Sequence, residues 1–128
     1  AASDVYKRQP KKQIKFEREI QSVFYNNKYV GISYSDTKKE NSWHIKVYDM
    51  NGKTVMENDT EIAYNRIELL DNNEICVRDD YNCELFTIHS IRKFRYTFDR
   101  QLYNVLSGLD GQNYTLVLNG EIEEVRLQ

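Results

Sequence analysis

The sequence predicts an all-β fold of meandering antiparallel strands, and three observations predict it. Short runs rich in Val, Ile, Tyr and Phe recur between polar breaks with little helical periodicity, which is how half-buried strands read. Asn, Asp and Gly cluster between those runs, leaving gaps short enough for consecutive strands to pair directly. The runs also repeat in groups of four, with steps of 44 residues from Val23 to Ile67 and 38 from Ile67 to Val105.

Taken in order, the predicted strands begin with Gln13 to Glu17, Ile20 to Tyr25, Tyr29 to Tyr34, Trp43 to Tyr48 and Lys53 to Glu57. Arg66 to Leu70, Glu74 to Arg78, Cys83 to Ile88 and Lys93 to Phe98 follow. Tyr103 to Leu106, Tyr114 to Leu118 and Glu121 to Leu127 close the chain. Asn51-Gly52 lies between two apolar runs and predicts a two-residue hairpin turn, because Asn-Gly supplies the positive φ angles such a turn needs. Asp71 to Asn73, Asp79 to Asn82, Gly108 to Gly111 and Asn119-Gly120 predict further reversals on the same chemistry.

A step of ~40–45 residues with four strands per unit is the pattern of propeller blades. The expected architecture is therefore a C-terminal fragment of a β-propeller over residues 10–128. It holds the outer strand of one blade (Gln13 to Glu17), two four-stranded repeats and an incomplete last blade. An immunoglobulin-like sandwich is the alternative, but it predicts no four-strand repeat. Residues 1–9, AASDVYKRQ, are the translation of gcagcgtcagatgtgtataagagacag, the end of a sequencing-library adapter. They are read as not native, with the true N-terminal part missing.

With 128 residues the chain is one domain or part of a larger one. Hydrophobic residues at 40% and aromatics at 12% can bury a core and exclude a disordered chain. A net charge of −2 attracts neither nucleic acid nor anionic lipid. No apolar run of ~18 residues is present, so no transmembrane helix is read in this portion.

Phe24-Tyr25 with Lys28 to Gly31, Val47-Tyr48-Asp49 with Gly52-Lys53, Lys93 to Asp99, and Ile122 to Leu127 together resemble the C-terminal third of a bacterial family of unknown function. The resemblance covers Phe16 to Leu127, and KFRYTFD at 93–99 is its most specific piece. Members of that family come from low-GC Gram-positive bacteria. They look like a short cytoplasmic tail, one transmembrane helix and a β-propeller-like ectodomain. The resemblance implies a membrane-anchored protein with its propeller outside the cytoplasm, and it carries no catalytic or binding residue onto this sequence.

Individual residues offer little chemistry. Cys76 and Cys83 fall on neighbouring strands, so a cross-strand disulfide is conceivable, as are two small core thiols. Zinc is not expected, since the sequence has no C-x-x-C or H-x-x-x-H spacing. His44 and His89 are placed in the third strands of successive units, without a nucleophile and acid in recognisable spacing. Asp71, Asn72, Asn73, Glu74, Asp79 and Asp80 are turn formers before they are calcium ligands. Basic residues at Lys11-Lys12 and Arg92 to Tyr96 fit outer strands, where charge discourages edge pairing. No cofactor is implied.

Two functions remain. The first is a non-catalytic binding or scaffold module for a protein or cell-wall component, using connections around one mouth of the propeller. Those connections are Asp36 to Ser42, Asn58 to Glu61, Asp79 to Asn82 and Asp99 to Gln101. The candidate surface within them is Asp36, Lys38, Lys39, Glu40, Asp79, Asp80, Tyr81, Asp99 and Arg100. The alternative is an enzyme, quinoprotein-like or a hydrolase, whose active residues lie in upstream blades.

Overall fold

A computed structural model describes residues 13–16, 18–35, 43–60, 64 and 66–127. Among them are eleven strands and no helix. The first sheet is the meander β1 (Ser22–Tyr25), β2 (Tyr29–Ser35), β3 (Trp43–Asp49) and β4 (Thr54–Thr60). The second is β5 (Arg66–Leu69), β6 (Ile75–Arg78), β7 (Asn82–Phe86) and β8 (Arg92–Thr97). The third is β9 (Leu102–Ser107), β10 (Asn113–Leu118) and β11 (Glu121–Arg126). Every pairing is antiparallel between consecutive strands.

Eleven of the predicted runs are thus strands, with ends moved by a few residues. The first is not: Gln13–Phe16 lies outside any strand, and Glu17 lies outside the described residues. A strand requires a ladder partner, and this segment instead packs Phe16 against the Tyr48 ring, 6.3 Å between centroids. Asn58 to Thr60, expected in a connection, belongs to β4.

The sheets are layered in chain order. Phe24, Ile45, Val47 and Met56 of the first sheet share one core with Ile67, Ile75, Val77 and Phe86 of the second. The opposite face of the second sheet, through Cys76, Cys83 and Leu85, shares another with Leu102, Val105, Tyr114, Leu116 and Leu118 of the third. The second sheet is therefore covered on both sides, which is why β6 is buried at every residue. Gly31 is needed within the first sheet, because it lies opposite Phe24 and an added Cβ would come 2.1 Å from that ring.

The hairpin at Asn51-Gly52 forms, but with a three-residue loop instead of two. Gly52 N–H donates to the Asp49 carbonyl at 3.0 Å and Asp49 N–H to the Lys53 carbonyl at 3.0 Å. Gly52 alone takes a positive φ, 78°. Thr87 to Ile91 repeats this loop between β7 and β8, with Ser90 at φ 68° in the glycine's place. Asp49 Oδ1 accepts from the N–H groups of Asn51 and Lys53, as Thr87 Oγ1 does from those of His89 and Ile91. Each loop is flanked by a register shift at the equivalent place, Val47/Tyr48 and Leu85/Phe86. His89 consequently sits in this loop and not in a strand.

Candidate functional site

The end of the layered sheets that carries the β6–β7 turn gathers five of the residues singled out from the sequence. Asp79 folds the turn by accepting from Tyr81 N–H (2.8 Å) and Asn82 N–H (2.7 Å). Its carboxylate also takes the Asn82 side-chain amide, 3.0 Å to each oxygen. The strand-to-strand connection after β8 is tied to this turn by Phe98 N–H to the Tyr81 carbonyl (2.7 Å) and Leu102 N–H to the Asp80 carbonyl (2.6 Å). Asn119 N–H to the Gln101 carbonyl, 2.9 Å, adds the β10–β11 turn. Asp79, Asp80, Tyr81, Asp99 and Arg100 thus share one end, with all but the half-buried Asp79 exposed. Arg100 pairs with Glu121 at 2.9 Å. Asp36, Lys38, Lys39 and Glu40 lie outside the described residues.

Other polar groups have structural work. His44, on the face of the first sheet turned away from the second, is held between two carboxylates, with Nδ1 on Asp59 and Nε2 on Glu57 at 2.7 Å. That hydrogen bond, with Lys46 beside it, holds the Glu57 carboxyl below its ordinary value despite partial burial. Both imidazole nitrogens are engaged, leaving none for a substrate or a metal. Among the described residues no group of three or more His, Cys, Asp or Glu could hold a metal ion. Cys76 and Cys83 are free thiols, fully buried, with Sγ atoms 3.6 Å apart. Cys76 lies opposite Leu85 and Cys83 opposite Arg78, so the pair is diagonal across the strands. The hydrogen bond to Cys83, then burial, push the Cys76 thiol well above its ordinary value.

Two features had no sequence signature. Glu74, Lys93 and Tyr114 come from three strands or their flanks to form a buried polar cluster between the second and third sheets. Lys93 Nζ donates to Glu74 at 2.7 Å and to the Tyr114 hydroxyl at 2.8 Å, and that hydroxyl donates to Glu74. Burial alone would lower the Lys93 ammonium, yet its hydrogen bonds raise it above the ordinary lysine value. Burial and the bond to Glu74 raise the Tyr114 phenol likewise. The second feature is a groove of about 330 Å³ between β8 and β11, whose rim includes Asp99 and Arg100. Only long-range pairing of separate sheets creates either one.

The profile of a family of unknown function, DUF5711, matches residues 3–127. The chain belongs to this family. No curated protein matches the sequence. DUF5711 membership brings no assigned activity. Among the described residues no helix is long and apolar enough to cross a membrane.

Proposed function

We propose that this DUF5711 chain is a non-catalytic binding or scaffold module at the bacterial cell envelope, part of a β-propeller whose further blades lie upstream in a longer, membrane-anchored polypeptide. The propeller reading is supported by the face-on-face order of the sheets and by the shared loop, cap and bulge of the β3–β4 and β7–β8 hairpins. The envelope address is supported by the resemblance of 16–127 to anchored relatives. A full-length gene with no apolar segment of ~18–20 residues before the first blade overturns the anchor.

One observation carries the binding role. Backbone hydrogen bonds knit the Asp79–Asn82 turn, the Asp99–Gln101 connection and the Asn119 turn into one polar end on a rigid scaffold. The partner class is a protein or a cell-wall component, and the acidic balance gives nucleic acid no purchase. Retention of the chain on purified cell walls and membranes of low-GC Gram-positive bacteria tests it. Asp80→Lys with Tyr81→Ala is expected to lower retention roughly fivefold or more with unchanged circular dichroism. Equal retention of both proteins rejects this end as the surface.

A further inference from the structure

Asn-Gly occurs twice in the sequence, at Asn51-Gly52 and Asn119-Gly120, and Asp-Gly once, at Asp110-Gly111. In each pair the glycine nitrogen can attack the side-chain carbonyl of the residue before it, because glycine has no Cβ to block the approach. All three lie in turns, after β3, β10 and β9 respectively. Their hydrogen bonds tell them apart.

At Asn51 the attacking nitrogen is occupied, since Gly52 N–H donates to the Asp49 carbonyl at 3.0 Å. That bond closes the hairpin loop, so releasing the nitrogen opens the loop. At Asp110 the carbonyl to be attacked is disarmed. The carboxylate accepts from Gln112 N–H (2.9 Å), Asn113 N–H (3.0 Å) and the Asn113 side-chain amide, and these bonds hold the carboxyl below its ordinary value. An ionised carboxylate has no leaving group to give up.

Asn119 has neither protection. It is exposed, and among the described residues its side chain makes no hydrogen bond and Gly120 N–H donates none. A Cβ added at Gly120 would meet nothing within 4 Å, so the tip of this turn has room to rearrange. The Asn119 N–H bond to the Gln101 carbonyl, 2.9 Å, leaves the reacting atoms free.

We infer that Asn119 is a site of spontaneous modification, where the side-chain amide is exchanged for an acid with water as the only co-reactant. The Gly120 nitrogen loses its proton and bonds to Asn119 Cγ. The Cγ–Nδ2 bond breaks, and Nδ2 departs with that proton as ammonia. Water then opens the five-membered imide. Opening at Cγ leaves an aspartyl residue at 119, and opening at the main-chain carbonyl routes the backbone through Cγ as an isoaspartyl residue. Either product adds a negative charge to the end that carries Asp79, Asp80, Asp99 and Arg100. The isoaspartyl form also inserts a methylene into the two-residue turn between the register partners Leu118 and Glu121. The modification stands whether or not that end binds a partner.

The test ages the whole chain in mildly alkaline buffer, beside a second sample unfolded in urea, and follows positions 51, 110 and 119 by peptide mass mapping. Methyl transfer by an isoaspartyl methyltransferase to the isolated peptides identifies the isoaspartyl product. In the folded chain, conversion at 119 is expected to run roughly threefold or more faster than at 51, the factor that one backbone hydrogen bond is worth. Position 110 should stay unchanged over the same period, and in urea the two asparagines should convert at similar rates. Conversion in the folded chain that is equal at 51 and 119, or faster at 51, overturns the assignment, as does conversion at 119 in urea only. A preference for 119 that persists unchanged in urea overturns it too, because the local sequence and not the fold would then set the rate. An aspartyl product with no isoaspartyl form overturns the imide route.

Discussion

At Gly52 the backbone is left-handed, φ 78°, and the same loop position is held by Asn73 at 66° after β5 and by Ser90 at 68° after β7. A β-branched side chain there is strained, so Gly52→Val is expected to cost more than ~1 kcal/mol in urea denaturation, with Gly52→Asn costing far less. Equal losses for the two would show that the hairpin does not depend on this conformation. Gly31 is constrained by space and not by φ: Gly31→Ala drives a Cβ into the Phe24 ring and is expected to cost about 1–3 kcal/mol, part of which Phe24→Leu recovers. Asn51-Gly52 was legible because the dipeptide states its own backbone need. Ser90 was not, because nothing local marks a serine for positive φ, and Gly31 was not, because its neighbour comes from another strand.

The elements are joined by polar contacts that alternation of residue types does not reveal. The Glu74, Lys93 and Tyr114 cluster connects the β5–β6 turn region, β8 and β10, and Glu74 is buried at 7% exposure. Lys93 and Tyr114 both hold their protons more tightly folded than at their ordinary values of 10.5 and 10.0. Their contribution is therefore complete below about pH 10 and is lost as pH rises through the raised values. Melting temperature is expected to fall from about pH 10 upward, and less steeply in Tyr114→Phe. An unchanged profile in that variant would remove Tyr114 from the titration. The diagonal thiols yield a different prediction for β6 and β7. Cys76 and Cys83 should resist a thiol reagent in the folded chain and react fully after denaturation. Rapid labelling of the native protein would contradict their burial. Strand identity was legible for eleven runs because each carries its own polar breaks and apolar face. The Gln13 run carries the same pattern without a partner strand among the described residues, and composition cannot report a partner.

At the scale of the molecule, the outer faces of the first and third sheets carry exposed apolar side chains. Val23 and Tyr25 of the first sheet are 59% and 74% exposed, and Leu106 and Ile122 of the third are 51% and 71%. Exposed apolar side chains of this kind favour association. Residues 10–128 are expected to elute as more than a monomer in size-exclusion chromatography and to bind a hydrophobic dye. A sharp monomer peak, no dye binding and a cooperative melt would mean that these residues form a complete unit, and would weigh against the propeller-fragment reading.

The sequence by itself determined the all-β class, the strand order, the places of the turns and the grouping by fours, because period-two alternation and turn chemistry act between residues close along the chain. It also singled out Asp79, Asp80, Tyr81, Asp99 and Arg100 as loop residues. Only the tertiary structure decided that these residues share one end, that the two cysteines meet diagonally and that a lysine, a glutamate and a tyrosine share a buried cluster. Those outcomes depend on which face of one sheet meets which face of the next, and that choice is made by the summed burial of side chains distant in sequence, a quantity no local pattern records.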